Sequence, residues 1–287
     1  MATENFNLLS PYEMAQVGEN TGVYKASKPF SKALVSAINA GIFISIAFAF
    51  YITATTGGGE LPWGINKLIG GLCFSLGLIL VVVLGADLFT STVLITVAKI
   101  TGKVGWGPMM KNWLYVYAGN LLGALIFVAL IFFGAQYLAA DGMWGLNVLQ
   151  TASHKLHHTF TEAVILGTLA NLMVCLAVWM SYAGRSLIDK ALIMVLPVAM
   201  FVASGFEHSI ANMFMIPMGI VIENFASPEF WEFVKEVGVT PETFAHINVE
   251  NFIFKNLIPV TIGNIIGGAL FVGFMNWYLY IHGHKVH

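Results

Sequence analysis

Residues 111–130, KNWLYVYAGNLLGALIFVAL, return as residues 255–274, KNLIPVTIGNIIGGALFVGF. Aligned without gaps, the two stretches agree at Lys111/Lys255, Asn112/Asn256, Val116/Val260, Gly119/Gly263, Asn120/Asn264, Gly123/Gly267, Phe127/Phe271 and Val128/Val272. Shared apolar composition does not account for a polar Gly-Asn pair repeated inside hydrophobic sequence. Upstream of each copy, a helix-length apolar run is broken by small and charged residues. Gly85-Ala86-Asp87-Leu88-Phe89-Thr90-Ser91 interrupts the first and Ser204-Gly205-Phe206-Glu207-His208-Ser209 the second. A weaker correspondence pairs Asn39 with Asn171. The chain therefore reads as two related halves.

Composition decides the solvent of those halves. Hydrophobic residues make up 57% of the chain and charged residues 10%, far from a soluble balance. Six apolar segments, about 31–55, 64–100, 108–140, 159–183, 187–224 and 249–281, reach the ~20 residues needed to cross a bilayer. The second and fifth are too long for one straight helix, which fits an interruption in each. The expected organisation is an all-α membrane protein: a segment 1–30, a transmembrane domain 31–281 with repeats about 31–140 and 159–281, and a tail 282–287. Three crossings per half force the second half to enter from the opposite side, giving an inverted repeat whose broken helices meet at midplane. Residues 1–27 carry Glu4, Glu13 and Glu19 and lack the basic-then-apolar order of a secretory leader. With the N-terminus inside, Lys25, Lys28, Lys32, Lys99, Lys103, Lys111, Arg185, Lys190 and Lys285 are cytoplasmic. Only Lys67, Lys155, Lys235 and Lys255 are then outside, so both termini are expected in the cytoplasm.

An ionisable group at bilayer depth is costly and marks a solute path by default. Lys and Arg are absent from the span interiors, so the expectation is that no fixed cation neutralises Asp87 or Glu207. His208 is the one central side chain able to become positive, and Thr90 and Ser91 offer hydroxyl donors. Asp87 and Glu207 are read first as caps for the freed backbone N–H groups, and Thr90 or Ser91 either as a cap or as pore lining. Phe74, Leu78, Phe89 and Phe201 lie a turn or two from the breaks, as packing or as apolar constrictions. Asn120 and Asn264 either bond neighbouring helices or face the path. Glycines spaced by a turn favour close helix packing. His154-Lys155-Leu156-His157-His158 is read as a solvated loop without a metal, or through Lys155 as positive potential at an outer mouth. Ser227-Pro228-Glu229-Phe230-Trp231 opens a short amphipathic helix. Cys73 and Cys175 both fall inside spans and imply packing, with no disulfide. Buried bis-histidine haem needs two midspan histidines, and His208 alone qualifies, so neither a redox enzyme nor any bound cofactor is expected. A net charge of -2 gives nucleic acid no footing. The absence of any Asn-Pro dipeptide argues against water conduction as the main function.

The runs GADLFTS, GFEHSIANM and IGNIIGGALF, with the six spans, resemble the formate/nitrite transporter family over essentially the whole chain, most like its formate-channel branch. That resemblance implies an aquaporin-like fold, a homopentamer with one pore per subunit, and a place in the bacterial inner membrane among its lipid. It implies a small monocarboxylate such as formate as solute, with nitrite or hydrosulfide as the alternative within the family. It places His208 and Thr90 at the central site, with Lys155 drawing anions into the outer vestibule and Asn171 lining the pore. Phe74, Leu78, Phe89 and Phe201 match its constrictions. Asp87, Glu207 and Asn264 anchor the loops of the two breaks.

Overall fold

Three helix starts are written into the sequence as reciprocal capping boxes: Ser10 with Glu13, Thr159 with Glu162, and Ser186 with Asp189. In the computed structural model, which describes residues 8–283, they open α1 (Pro11–Ser27), α8 (Phe160–Ser181) and α9 (Leu187–Ala203). Between α1 and α8 lie α2 (Phe30–Thr55), α3 (Trp63–Val83), α4 (Phe89–Thr92), α5 (Ile95–Ile100), α6 (Trp106–Phe133) and α7 (Met143–Lys155). After α9 come α10 (Ser209–Phe225), α11 (Pro228–Glu236) and a last helical run, α12, over residues 249–280. That run contains π-helical turns at Phe252–Leu257 and Ile266–Phe274. Glu4, Lys285 and most of the expected tail lie outside the described residues.

Five segments are long and apolar enough to cross a membrane alone: Phe30–Thr55, Trp63–Val83, Trp106–Phe133, Phe160–Ser181 and Pro241–Tyr280. The expected crossing 187–224 is divided between α9 and α10, each 17 residues long. At 1.5 Å per residue each half reaches only about 25 Å, so neither spans by itself. The second expected crossing, 64–100, differs in detail: α3 already suffices, and the chain beyond the break is divided again between α4 and α5. Ser227 caps α11, which turns 100° from α10 and buries Phe230 and Val234, as the amphipathic pattern implies.

The repeat is visible atom by atom at the two breaks. Gly85 (φ +71°) and Gly205 (φ +73°) turn the chain through the left-handed region, which glycine enters without strain. Ala86 N–H then returns to Val81 O, and Phe206 N–H to Phe201 O. Asn120 Oδ1 accepts from Phe89 N–H (2.8 Å), while its Nδ2 donates to Ala37 O (2.8 Å) and Asp87 O (3.0 Å). Asn264 repeats all three with Ser209 N–H (2.9 Å), Gly167 O (2.8 Å) and Glu207 O (3.0 Å). Near the pseudo-twofold axis the equivalent residues Tyr117 and Thr261 meet through their hydroxyls at 2.8 Å.

These contacts correct two readings. They align Ala37 with Gly167, which pairs Asn171 with Gly41 and not with Asn39. They also identify the asparagines, rather than Asp87 and Glu207, as the caps of the freed N–H groups. A neutral amide offers both a donor and an acceptor, which a carboxylate does not. The repeat also reaches beyond its expected start. Asn112 Nδ2 donates to Lys25 O at the end of α1, and its counterpart Asn256 donates to Lys155 O at the end of α7. So α7 serves the second half as α1 serves the first.

Close approach lets these bonds form. A methyl at Gly167 would lie 2.7 Å from Val260 O, and one at Gly119 2.6 Å from the Ala37 methyl. Substituting Asn120 or Asn264 by Ala strands one N–H and one carbonyl of the break and removes a third bond, to a carbonyl within a neighbouring helix. Each is expected to cost on the order of 3 kcal/mol, to nearly the same extent in the two halves. Thermal unfolding in detergent, with Asn276→Ala as the one-bond comparison, measures this. A loss no larger than that of Asn276→Ala would overturn the clamp assignment.

Candidate functional site

The cavity that leads toward the breaks opens beside α7. It measures about 240 Å³ and is lined by aromatic and basic side chains, among them Tyr51, Lys67, His154 and Lys155 at the entrance. Phe74, Phe201 and His208 line it as well. Phe74 and Phe201 meet edge-on with centroids 6.0 Å apart, and Phe201 stacks on the His208 ring at 6.0 Å. Leu78, one turn beyond Phe74 on α3, is buried. The corresponding space beside α1, between Gly18, Gly22, Lys25, Ser91 and Tyr182, shrinks to about 10 Å³. Of these two spaces, the one beside α7 is much the larger.

At its inner end His208 Nε2 lies 2.9 Å from Thr90 Oγ1, so the two breaks touch through their functional side chains. The other ring nitrogen, Nδ1, accepts from Ala211 N–H at 3.1 Å and serves as the N-cap of α10. That bond fixes the tautomer: Nδ1 carries no hydrogen, and the neutral ring holds its proton on Nε2, directed at Thr90. The Thr90 hydroxyl hydrogen remains free to donate to a solute. A second proton on His208 must sit on Nδ1 and displace the Ala211 cap. No reading of the sequence had suggested this cap, because histidine is not a common N-cap residue.

The backbone around Thr90 is held with equal care. Asn171 Nδ2 donates to Thr90 O (3.0 Å) and to Asn264 O (2.5 Å), tying the two breaks together. Asn171 is fully buried in that role, and it does not line the cavity. Ser91 turns toward the α1 face, donating to Leu88 O and receiving Lys25 Nζ at 3.4 Å. Phe89 packs away from Phe74 and Phe201, its ring 4.8 Å from Tyr117 and 6.0 Å from Trp113.

The carboxylates depart from expectation in their partners. Both are neutralised by lysines that lie outside the spans in sequence but are carried inward by α1 and α7. Asp87 pairs with Lys28 and lies 3.7 Å from Lys25. Lys155 Nζ reaches Glu207 Oε1 at 3.0 Å, with His158 Nε2 at 3.7 Å from the same oxygen. The other oxygen of Glu207 accepts from Asn212 (2.6 Å) and Asn256 (3.1 Å). His154–Lys155 is therefore a helix end pressed into the protein, contrary to the solvated-loop reading: α7 buries Trp144, Leu149 and Ala152. Its 13 residues are too short and too mixed in polarity to register as a hydrophobic segment. Among the described residues no group of three or more His, Cys, Asp or Glu side chains is arranged to hold a metal.

Comparison with known proteins agrees with this architecture. The sequence model described as Formate/nitrite transporter matches residues 12–278. The chain is 68% identical over 286 residues to the formate channel FocA of Escherichia coli K12, covering 100% of this chain and 99% of that protein. FocA of Haemophilus influenzae is 51% identical over 283 residues, covering 97% and 99%. A solved pentameric formate channel with formate bound superposes with a TM-score of 0.83 at 52% identity, covering 88% of this chain and 98% of that one. Broken helices clamped by paired asparagines, an inverted repeat and full-length similarity all lead to one conclusion: this chain is a multi-pass membrane protein of the formate/nitrite transporter family.

Proposed function

We propose that this chain forms a homopentameric channel for formate in the bacterial inner membrane, with one pore in each subunit and both termini in the cytoplasm. The observation that carries the reading is the His208–Thr90 pair at the blind end of the cavity beside α7. Similarity to the formate channels of Escherichia coli and Haemophilus influenzae, and to a solved pentameric formate channel with formate bound, supports the solute and the assembly. Exposed Leu130, Phe133, Leu192 and Leu196 supply apolar surface for lipid and neighbouring subunits. The Lys and Arg distribution supports the orientation, with α7 and its cavity outside. The naming of its relatives as channels supports reading the chain as a conduit rather than an enzyme.

A small carboxylate entering beside Lys155 meets the rings of Phe74 and Phe201, which cannot replace its water. Taking a bare carboxylate into such surroundings costs several kcal/mol or more, so the pore must supply donors or a proton. The Thr90 O–H is the donor left free at the crossing point, and His208 Nε2–H supports it by bonding the same hydroxyl oxygen. Together they stabilise the anion. A His208 ring that has first taken up a second proton from water passes one to the anion and returns to its neutral form, so the solute crosses the apolar ring as a neutral acid. Asp87 and Glu207 hold the loops of the two breaks through their lysines, with Asn264 clamping the second. The selection among formate, nitrite and hydrosulfide rests on the same donors, and the formate-channel relatives favour formate.

Two variants test the reading in proteoliposomes. His208→Asn keeps both an N-cap for Ala211 and a side-chain donor, so it should fold and pass formate while losing the pH dependence that a titrating ring confers. An unchanged pH profile would remove His208 from any proton step. Thr90→Val preserves shape but removes the donor hydroxyl, and formate flux should fall about tenfold or more. Flux equal to that of the unmodified protein would exclude Thr90 from the path.

A further inference from the structure

The matched contacts of the repeat equate Lys25 with Lys155, since Asn112 and Asn256 hold their carbonyls in the same way. Three residues further along, the same register equates Lys28 with His158. Both members of that pair face the carboxylate of their own break: Lys28 is bonded to Asp87, and His158 Nε2 stands 3.7 Å from Glu207 Oε1. The halves thus differ at one chemically decisive position. Beside α1, two lysines oppose one carboxylate. Beside α7, one lysine opposes one carboxylate, and the second partner is a histidine.

We propose that His158 makes the charge of the α7 mouth titratable, so that this mouth captures a small carboxylate anion at full strength only when His158 is protonated. The inference rests on the channel reading above. His158 Nε2 is shielded from solvent and has no hydrogen-bond partner among the described residues, so a proton there has Glu207 as its nearest acceptor. Lys155 and His154 face it from α7, the latter with ring centroids 5.4 Å apart. Glu162, one turn into α8, is committed to its capping box with Thr159. Burial, and after it the charges of His158 and Lys155, holds the His154 imidazole below the usual histidine range, with Lys67 adding to the effect. His157 and His246 are engaged with Ser153 through its carbonyl and hydroxyl. Protonating His158 gives Glu207 a second cation and frees part of the Lys155 charge for the cavity that Lys155 lines. Histidine is the side chain whose ordinary titration spans the acid-to-neutral range in which such a change is useful.

The test is the concentration dependence of formate uptake by proteoliposomes of the unmodified protein, His158→Lys and His158→Gln. Each is measured with equal pH on both sides, from about 5.5 to about 7.5, the range in which histidine titrates. Lys reproduces the chemistry of Lys28 in the other half, and Gln stays neutral. The Lys variant removes the titration at its charged end, so its half-saturating concentration should match the unmodified protein at the acid end. At the neutral end it should be lower by at least about threefold, the effect of one added charge at close range in a well-screened site. The Gln variant should match the unmodified protein at the neutral end and be weaker at the acid end. Ratios among the three that do not change with pH overturn the inference while leaving the channel reading intact. Absence of formate uptake by the unmodified protein at every pH overturns the channel reading and this inference with it.

Discussion

A helix cannot be interrupted in a bilayer unless something inside the protein replaces the hydrogen bonds that water would offer. Here that replacement is a single side-chain amide, used twice. Asn120 and Asn264 each close one backbone N–H and one carbonyl of a break and hold it to a carbonyl of a neighbouring helix, and each does so from the helix that carries the repeated Gly-Asn pair. The glycines around them serve the same end, because the carbonyls of Ala37 and Gly167 come within reach only where helices lie nearly in backbone contact. Everything of functional interest, from Thr90 on one break to His208 on the other, inherits its position from these clamps.

The second requirement is charge. Asp87 and Glu207 are almost wholly buried, and an unpaired carboxylate at that depth would be costlier than the clamps could offset. The solution lies in two helices that do not cross the membrane. α1 and α7 fold back over their own halves and deliver Lys25 and Lys28 to one carboxylate and Lys155 to the other. Those ion pairs also keep a cation at the end of each path, so one arrangement serves folding and electrostatics together.

Much of this was legible in the sequence, and the reasons for the gaps are physical. The Gly-Asn repeat and the two breaks stand out because polar residues are rare in apolar surroundings, and they led directly to an inverted-repeat membrane fold. The pairing of Asp87 and Glu207 was missed because their partners lie outside the spans, and a tally of charges within spans cannot foresee a helix that folds back. α7 was hidden by its length, and with it the burial of Lys155. His208 was recognised as a lone ionisable group, but its backbone cap depends on a ring orientation that residue order does not encode. Asn39 was matched to Asn171 on residue type alone, where the backbone register aligns Asn171 with Gly41.

Asn171 has one more consequence. Its amide nitrogen bonds the carbonyl of Thr90 in one half and that of Asn264 in the other, so the two breaks are fastened to each other at the centre. Transporters built from inverted repeats commonly work by rocking one repeat against its twin about a fixed site. Here such rocking would tear a buried bond on every cycle, along with the contact between Thr90 and His208. The bond therefore opposes any rocking of one half against its twin, by about 1 kcal/mol for an ordinary buried hydrogen bond.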